Sequence, residues 1–388
     1  MQEYYDIVII GAGPAGLNAG LHAANNGRHR SILLVDAVAT WDHPMQCAEA
    51  VGRRGFEAAI AVKESWIRQT VTKACFHAPD NSIVSYADKT GGYIINRAAM
   101  QQDLAQDLID KGVTCEFNRR VTQISAMKNF KREVEFTDGS RVHGRVVIDA
   151  SGPISGLGSN DAIARKPLDL EPAILALAEG VDLPSDTVHI YLGRGLAPGG
   201  YAWAFPRGAN GGANIGLLIG SEFKGKVNIR TLFNAFAACY FPSATIVKRF
   251  GGTIPCASRR EVIAAPGLFK AGDAASTVNP ISRAGISEAL LSGGIAGDHA
   301  LRMLEAATER EMQAIAQSYE SEWLKKRGKK HEKLARIKNI LAQVPDEDYN
   351  RATRVLEAQG PKNLAMFQIF KTALTRFPRL TWGLRHLV

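Results

Sequence analysis

The chain has 388 residues, 46% of them hydrophobic and 22% charged, with a formal net charge of +9. That composition supports a sizeable core and excludes an intrinsically disordered chain. Five widely spaced cysteines without a CxxC, and nine histidines without ligand spacing, argue against a disulfide framework and against a metal site.

The first residues lack the charged head and apolar middle of a leader peptide. The longest uncharged run, residues 7–27, is broken by glycines, a proline and asparagines, so no membrane span is expected. The cysteine usage suits a reducing compartment, so a cytoplasmic protein is expected, with peripheral attachment at the inner face of the membrane left open.

The opening "YDIVIIGAGPAGLNAGLHAANNG" predicts a buried strand over Asp6–Ile10, a glycine turn, and a helix from about Pro14 to Asn26. A second strand, "SILLVD", ends at Asp36. This is a βαβ unit carrying GxGxxG at Gly11, Gly13 and Gly16. Those glycines serve a tight turn, close approach of a pyrophosphate and close helix–strand packing. The helix N-terminus offers free N–H groups to phosphates. Asp36 stands where an acid can hydrogen-bond a ribose hydroxyl, so dinucleotide binding is expected.

Further along, "ACFHA" and "SIVSYA" (74–87) read as strands, and residues 95–112 as a helix with Leu104 and Leu108 on one face. "VVIDASGPIS" (146–155) is a buried strand ending at Asp149 and Gly152. "DTVHIYLG", "GGYAWAFPRG", "GANIGLLIG" and "ATIVKRFGGTIP" read as antiparallel strands between glycine turns. "GLFKAGDAASTVNPISRAGISEALLSGG" (267–294) supplies another strand, then Gly272-Asp273, a loop through Pro280, and a helix opening near Ala284. From Gly294 onward the pattern is helical. An acid after a strand suits the ribityl hydroxyls of FAD, and a helix N-terminus suits the anionic edge of a reduced flavin. No second GxGxxG follows a strand, so electrons would come from transiently bound NADPH or another reduced carrier.

The expected fold is α/β. A discontinuous Rossmann-like FAD-binding domain (1–70, 93–160 and 255–300) carries an inserted antiparallel β-rich substrate domain (71–92 and 161–254). A helical region (301–388) ends the chain.

The ordered set Gly11–Gly16, Asp149-Ala-Ser-Gly152 and Gly272-Asp273 resembles the p-hydroxybenzoate hydroxylase-type flavoproteins. Two segments resemble the geranylgeranyl reductase family. One is "HPMQCAEAVG" (43–52), with Cys before small-Glu. The other is Tyr201-x-Trp203-x-Phe205-Pro206 followed by a glycine-rich turn ending in "NIG".

This resemblance implies FAD, and an oxidoreductase of lipid metabolism that saturates isoprenoid C=C bonds. It places Ala15 and Asp36 at the adenosine side, Cys47 and Ala48 beside the flavin, and Arg97 near the phosphates. It places Val121 at the adenine, and Asp273, Gly285 and Ile286 at the ribityl and pyrimidine ends. Arg97 also has its own rationale, since a guanidinium suits a pyrophosphate. The sequence departs from the family at Ser282–Ile286, where many relatives carry a glycine-rich loop. Arg283 there would stabilise the reduced flavin, bind an acidic substrate head, or point to solvent.

Hydride alone reacts poorly with an unpolarised alkene, so one carbon must be protonated while positive charge builds on the other. Aromatic faces attract cations by about 0.5–2 kcal/mol, and a dry wall keeps water from the cation. Tyr201, Trp203 and Phe205, alternating on one strand face, are the candidate wall; core packing is the alternative. Cys47 is the leading proton donor, because a thiol of pKa about 8.5 is mostly protonated at neutral pH. The Tyr201 hydroxyl and a bound water are the other candidates. A flavin-dependent monooxygenase or halogenase on the same scaffold is the competing reading.

Residues 325–338 hold eight Lys/Arg against one Glu, and residues 358–388 combine apolar residues with five Lys/Arg and no acid. Such helices suit an anionic membrane surface that presents a prenylated lipid-like substrate. No aromatic-interleaved basic motif accompanies them, so no nucleic-acid partner is expected.

Overall fold

The structure, a computed structural model, describes residues 3–27, 29–39, 46–154, 156–157, 163, 169–208, 211–256 and 261–358. Strand β1 (Tyr4–Ile10) runs into helix α1 (Pro14–Asn26) and returns as β2 (Ile32–Val35), parallel to β1 with Ile7 beside Ile32. The chain then forms β3 (Ala50–Gly52), α2 (Arg53–Glu57), β4 (Ile67–His77), β5 (Ile83–Ile95) and α3 (Arg97–Asp110). Four short strands follow: β6 (Thr114–Glu116), β7 (Val121–Ile124), β8 (Arg132–Phe136) and β9 (Arg141–Asp149). Next come β10 (Leu170–Glu179), β11 (Thr187–Tyr191), β12 (Tyr201–Pro206), β13 (Ala213–Leu218), α4 (Ile229–Tyr240) and β14 (Thr245–Pro255). β15 (Ala264–Ala265) and β16 (Leu268–Lys270) lead to α5 (Ile286–Leu304). Helices α6 (Glu309–Trp323), α7 (Lys329–Leu341) and α8 (Asp346–Glu357) complete the described chain, with a π-helical turn over Leu324–Gly328 between α6 and α7.

The first sheet has the order β15-β16-β9-β1-β2-β6, with β8 pairing β9 and carrying β7. β1, β2 and the end of β9 are buried on both faces, which is why they read as continuous Ile/Val/Leu runs. Ile7, Ile9 and Leu34 pack with Leu17 of α1, Leu104 of α3 and Leu290 of α5. On the other face Val8, Ile10 and Leu33 pack under Ile124, Val134 and Phe136. α1 and α5 cross closely because α5 has no side chain at the crossing: a Cβ on Gly297 would lie 2.3 Å from the Ala19 carbonyl oxygen.

The second sheet has the order β14-β10-β13-β12-β11-β4-β5-β3. Every pair is antiparallel except β11–β4. The pleat sorts β12 into two faces. Ala202 and Ala204 join Ile215 and Leu217 beneath Phe233 and Phe236 of α4. Trp203 and Phe205 face the opposite way with Leu175 and Leu218.

Two features differ from the sequence reading. Ala50–Gly52 and the start of β4, read as part of the dinucleotide unit, pair into the second sheet, as does the end of β5 at Tyr93–Ile95. Helix α4 lies inside the segment read as a β-rich domain, between two of its expected strands. Asn228 caps its N-terminus, accepting from the N–H groups of Arg230 and Thr231. Residues 359–388 lie outside the described residues. Among the described residues no helix is long and apolar enough to cross a membrane, and no side-chain group could hold a metal ion.

Candidate functional site

The glycine turn is built by close approach. Gly11 has φ +102°, and a Cβ on Gly16 would lie 1.8 Å from the Gly11 carbonyl oxygen. Gly13 differs: a Cβ there would meet nothing within 4 Å. It stands at the N-terminus of α1, where no side chain caps the helix. Space and free N–H groups together suit an anionic group at that point. Asp36, at the end of β2, accepts from the Ala12 N–H at 2.5 Å and from the Val38 N–H at 2.7 Å. It therefore anchors the turn as well as facing it.

Helix α3 reaches the same turn. Arg97 Nε donates to Gln101 Oε1 at 2.8 Å, and Gln101 Nε2 donates to the Ala12 carbonyl at 2.8 Å. The turn after β16 closes the other side: Gly272 stacks on Ala15 so tightly that a Cβ would come within 2.8 Å of the Ala15 methyl. The Asp273 carboxyl accepts no hydrogen bond from the described residues. Burial pushes its pKa up, and the charge of Arg97 works against that. Gly285 and Ile286 open α5 beside it, with Asp273 Oδ1 3.6 Å from where a Gly285 Cβ would sit. Pro280 is buried in the intervening loop, and Val121 opens β7, buried and paired with Phe136 of β8. Asp149, by contrast, is buried against Lys270 at 3.8 Å and accepts from the Ser151 N–H, an internal arrangement.

The aromatic strand and the cysteine segment meet. Trp203 Nε1 donates to Asn214 Oδ1 at 2.9 Å, and Asn214 Nδ2 donates to the Cys47 carbonyl at 2.8 Å. The indole lies across Gly216, where a Cβ would be 2.3 Å from Trp203 Cζ2. Ala48 and Ala50 pack into the same cluster as Tyr201, Trp203 and Phe205. Cys47 Sγ accepts from the Glu49 N–H at 3.2 Å. Glu49 is buried with φ +61°. It pairs with Arg207 at 2.7 Å and accepts from the Arg97 N–H. The Tyr201 hydroxyl donates to the Ser282 carbonyl at 2.6 Å, so its proton is already committed.

Arg283 does not point to solvent. Its guanidinium is buried and bidentate on Glu171, with Nε at 2.9 Å and Nη2 at 3.2 Å. Its carbon lies 5.5 Å from the Tyr201 ring centroid. The basic stretch 325–338 is also partly internal: Lys338 bonds Asp169 at 2.6 Å and Glu171 at 2.9 Å, and Arg327 pairs with Glu288 at 3.1 Å. Lys325, Lys329, Lys330, Lys333 and Arg336 remain exposed.

Comparison with known proteins bears on this arrangement directly. A family model described as geranylgeranyl reductase catalytic domain matches residues 169–254, the stretch that holds the aromatic strand and Asn214. One described as lycopene cyclase protein matches residues 6–167. A digeranylgeranylglycerophospholipid reductase of Methanosarcina acetivorans is 28% identical over 398 residues, covering 100% of this chain and 97% of that protein. Digeranylgeranylglycerophospholipid reductase 1 of Methanococcoides burtonii is 29% identical over 397 residues, covering 100% and 96%.

The chain is similar to digeranylgeranylglycerophospholipid reductases along its whole length, and residues 169–254 match the geranylgeranyl reductase catalytic domain.

Its fold is that of a geranylgeranyl bacteriochlorophyll reductase-like protein from Thermoplasma acidophilum, with a TM-score of 0.88 and 23% identity over 100% of both chains. A flavin-dependent brominase shares the fold more distantly, with a TM-score of 0.68 and 17% identity over 97% of this chain and 100% of that one. Within this scaffold, sequence reasoning missed Glu49, Gln101, Asn214, Glu171 and Lys338. Gln101 lies one turn beyond Arg97 and was reachable by helical spacing. Asn214 lies inside "NIG", where nothing local marks its two partners. The other three depend on partners far along the chain.

Proposed function

We propose that this chain is an FAD-dependent reductase that saturates C=C bonds of geranylgeranyl or related isoprenoid chains on a lipid-like substrate. The observation that carries this is the Trp203–Asn214–Cys47 hydrogen-bond chain, which fixes the aromatic face against the cysteine segment. The dinucleotide-binding turn supplies the cofactor half. Bound FAD supplies the hydride.

The protein's residues do the rest. Gly11, Gly13, Ala15 and Gly16 present the α1 N-terminus to the pyrophosphate, with Asp36 toward the ribose and Arg97 toward the phosphates. The uncommitted carboxyl of Asp273 takes the ribityl hydroxyls. Gly285 and Ile286 set the α5 N-terminus against the negative end of the ring, and Val121 meets the adenine through its backbone. Trp203 and Phe205, nearly buried at 4% and 8% exposure, give an apolar wall. That wall excludes water and attracts positive charge at the tertiary carbon by about 0.5–2 kcal/mol.

Cys47 or a bound water delivers the proton; the commitment of the Tyr201 hydroxyl to Ser282 weighs against tyrosine. The electron donor is NADPH or another reduced carrier. Contact with an anionic membrane surface would use the exposed cations of 325–336 and the basic segment 358–388. Liposome flotation with and without the latter tests that contact, and equal partitioning ends it.

The function itself is tested by expressing the chain in a host that makes a geranylgeranylated lipid and weighing the lipid extract. Gains of two mass units per step are expected. Oxygen-dependent hydroxylated or halogenated products would support the competing monooxygenase or halogenase reading instead.

A further inference from the structure

We infer that Glu171 is a positioning residue that turns Arg283 away from the bound flavin and so keeps the reduced ring a strong hydride donor; this rests on the FAD reading above. Arg283 stands two residues before Gly285, the N-cap residue of α5, with a left-handed backbone (φ +54°) that side chains of its size rarely adopt. The loop around it is closed: Asn279 Oδ1 accepts from the N–H groups of Ile281 and Ser282, and the Arg283 N–H bonds the Asn279 carbonyl. From this hub the guanidinium could reach toward the helix N-terminus or back into the second sheet. It goes back. Nε and Nη2 take Glu171, Nη1 takes the Ile281 carbonyl at 2.8 Å, and Nη2 also takes the Gly199 carbonyl at 3.2 Å.

Glu171 is itself shared with Lys338, which also holds Asp169 and the Cys256 carbonyl. Two carboxylates and two cations leave the cluster with no net charge. Two electrons and one proton turn the oxidised ring into a negatively charged one. A bare guanidinium beside the α5 N-terminus would stabilise that charge and weaken the hydride donor. An unpolarised alkene needs a strong donor.

The test is the midpoint potential of FAD bound to the full chain, by anaerobic titration against a reference dye, in wild type, E171Q, R283Q and the double variant. In E171Q, Lys338 keeps Asp169 while Arg283 loses its only charged partner among the described residues and keeps the Ile281 and Gly199 carbonyls. The potential is expected to rise by about 30 mV or more, a tenfold gain in binding of reduced over oxidised flavin. Adding R283Q should cancel the rise. An unchanged potential in E171Q, or the same rise in the double variant, overturns the inference. Should E171Q not fold, E171D is expected to shift the potential in the same direction by less, and no shift there overturns it equally. A chain that purifies without FAD refutes the cofactor reading; an FAD-loaded chain with a flat potential refutes only the role of Glu171.

Discussion

Replacing Gly216 by alanine probes the aromatic wall without touching an aromatic residue. The new methyl would stand 2.3 Å from Trp203 Cζ2, 2.8 Å from Cε2 and 2.8 Å from the Ile174 carbonyl oxygen. β13 cannot move aside, because it is paired on both edges, with Leu175 on β10 and Trp203 on β12. The indole must therefore lift, and lifting breaks its hydrogen bond to Asn214. Overpacking costs about 1–3 kcal/mol, and a buried amide oxygen left without its donor costs about 1–3 kcal/mol. G216A should therefore lose about 2–6 kcal/mol by urea unfolding, shift the tryptophan emission, and reduce prenyl turnover. Gly212→Ala is the control, since a Cβ there meets only the Arg207 carbonyl and Cβ at 3.8–3.9 Å. G216A with unchanged stability and emission would mean that the indole does not lie across β13, and the wall would have to be redrawn.

The two glycines of the dinucleotide turn should separate fold from binding. Gly13→Ala meets no atom within 4 Å, so it should unfold like wild type yet bind FAD at least tenfold more weakly by flavin fluorescence. Gly16→Ala, with its methyl 1.8 Å from the Gly11 oxygen, should lose both stability and FAD. Asp273→Ala removes the carboxyl assigned to the ribityl chain and should weaken FAD about tenfold, roughly 1.4 kcal/mol, with little change in the melting temperature of the FAD-free protein. Stability should also depend on pH through His77. Burial, helped by neighbouring His189, lowers its pKa to about 4 from the ordinary 6.5. The unfolded chain therefore binds a proton that the folded chain refuses between those values. Unfolding free energy should fall as pH drops from about 6.5 toward about 4, and His77→Gln should flatten that slope.

The parts of this protein that were legible in its sequence are the local ones. Gly11, Gly13 and Gly16 occupy a strand–turn–helix whose whole logic fits within about thirty residues, and α1 forms at Pro14–Asn26 as its composition predicts. The face shared by Tyr201, Trp203 and Phe205 follows from period-two alternation. What sequence could not give was set by distant partners. The sheet membership of β4 depends on β11, more than a hundred residues later. The direction of Arg283 depends on Glu171, 112 residues earlier, and Glu171 in turn on Lys338. Lys338 itself sits in a run of eight cations, where nothing local marks it as the buried one. Helix α4 was hidden by its glycine-rich, strand-like neighbours, although Asn228 and the apolar spacing of Phe233 and Phe236 were there to be read.

The central claim, that a flavin held by this turn reduces an unactivated alkene against the Trp203 wall, meets its most direct test in a single anaerobic turnover. The purified FAD-loaded chain is reduced with dithionite, freed of excess reductant, and mixed with a geranylgeranylated lipid while flavin absorbance and product mass are followed together. The account predicts flavin reoxidation matched one-to-one by a product two mass units heavier, with the amplitude lost when Trp203 is replaced by alanine. A flavin that stays reduced, or one that reoxidises without any gain in lipid mass, contradicts it.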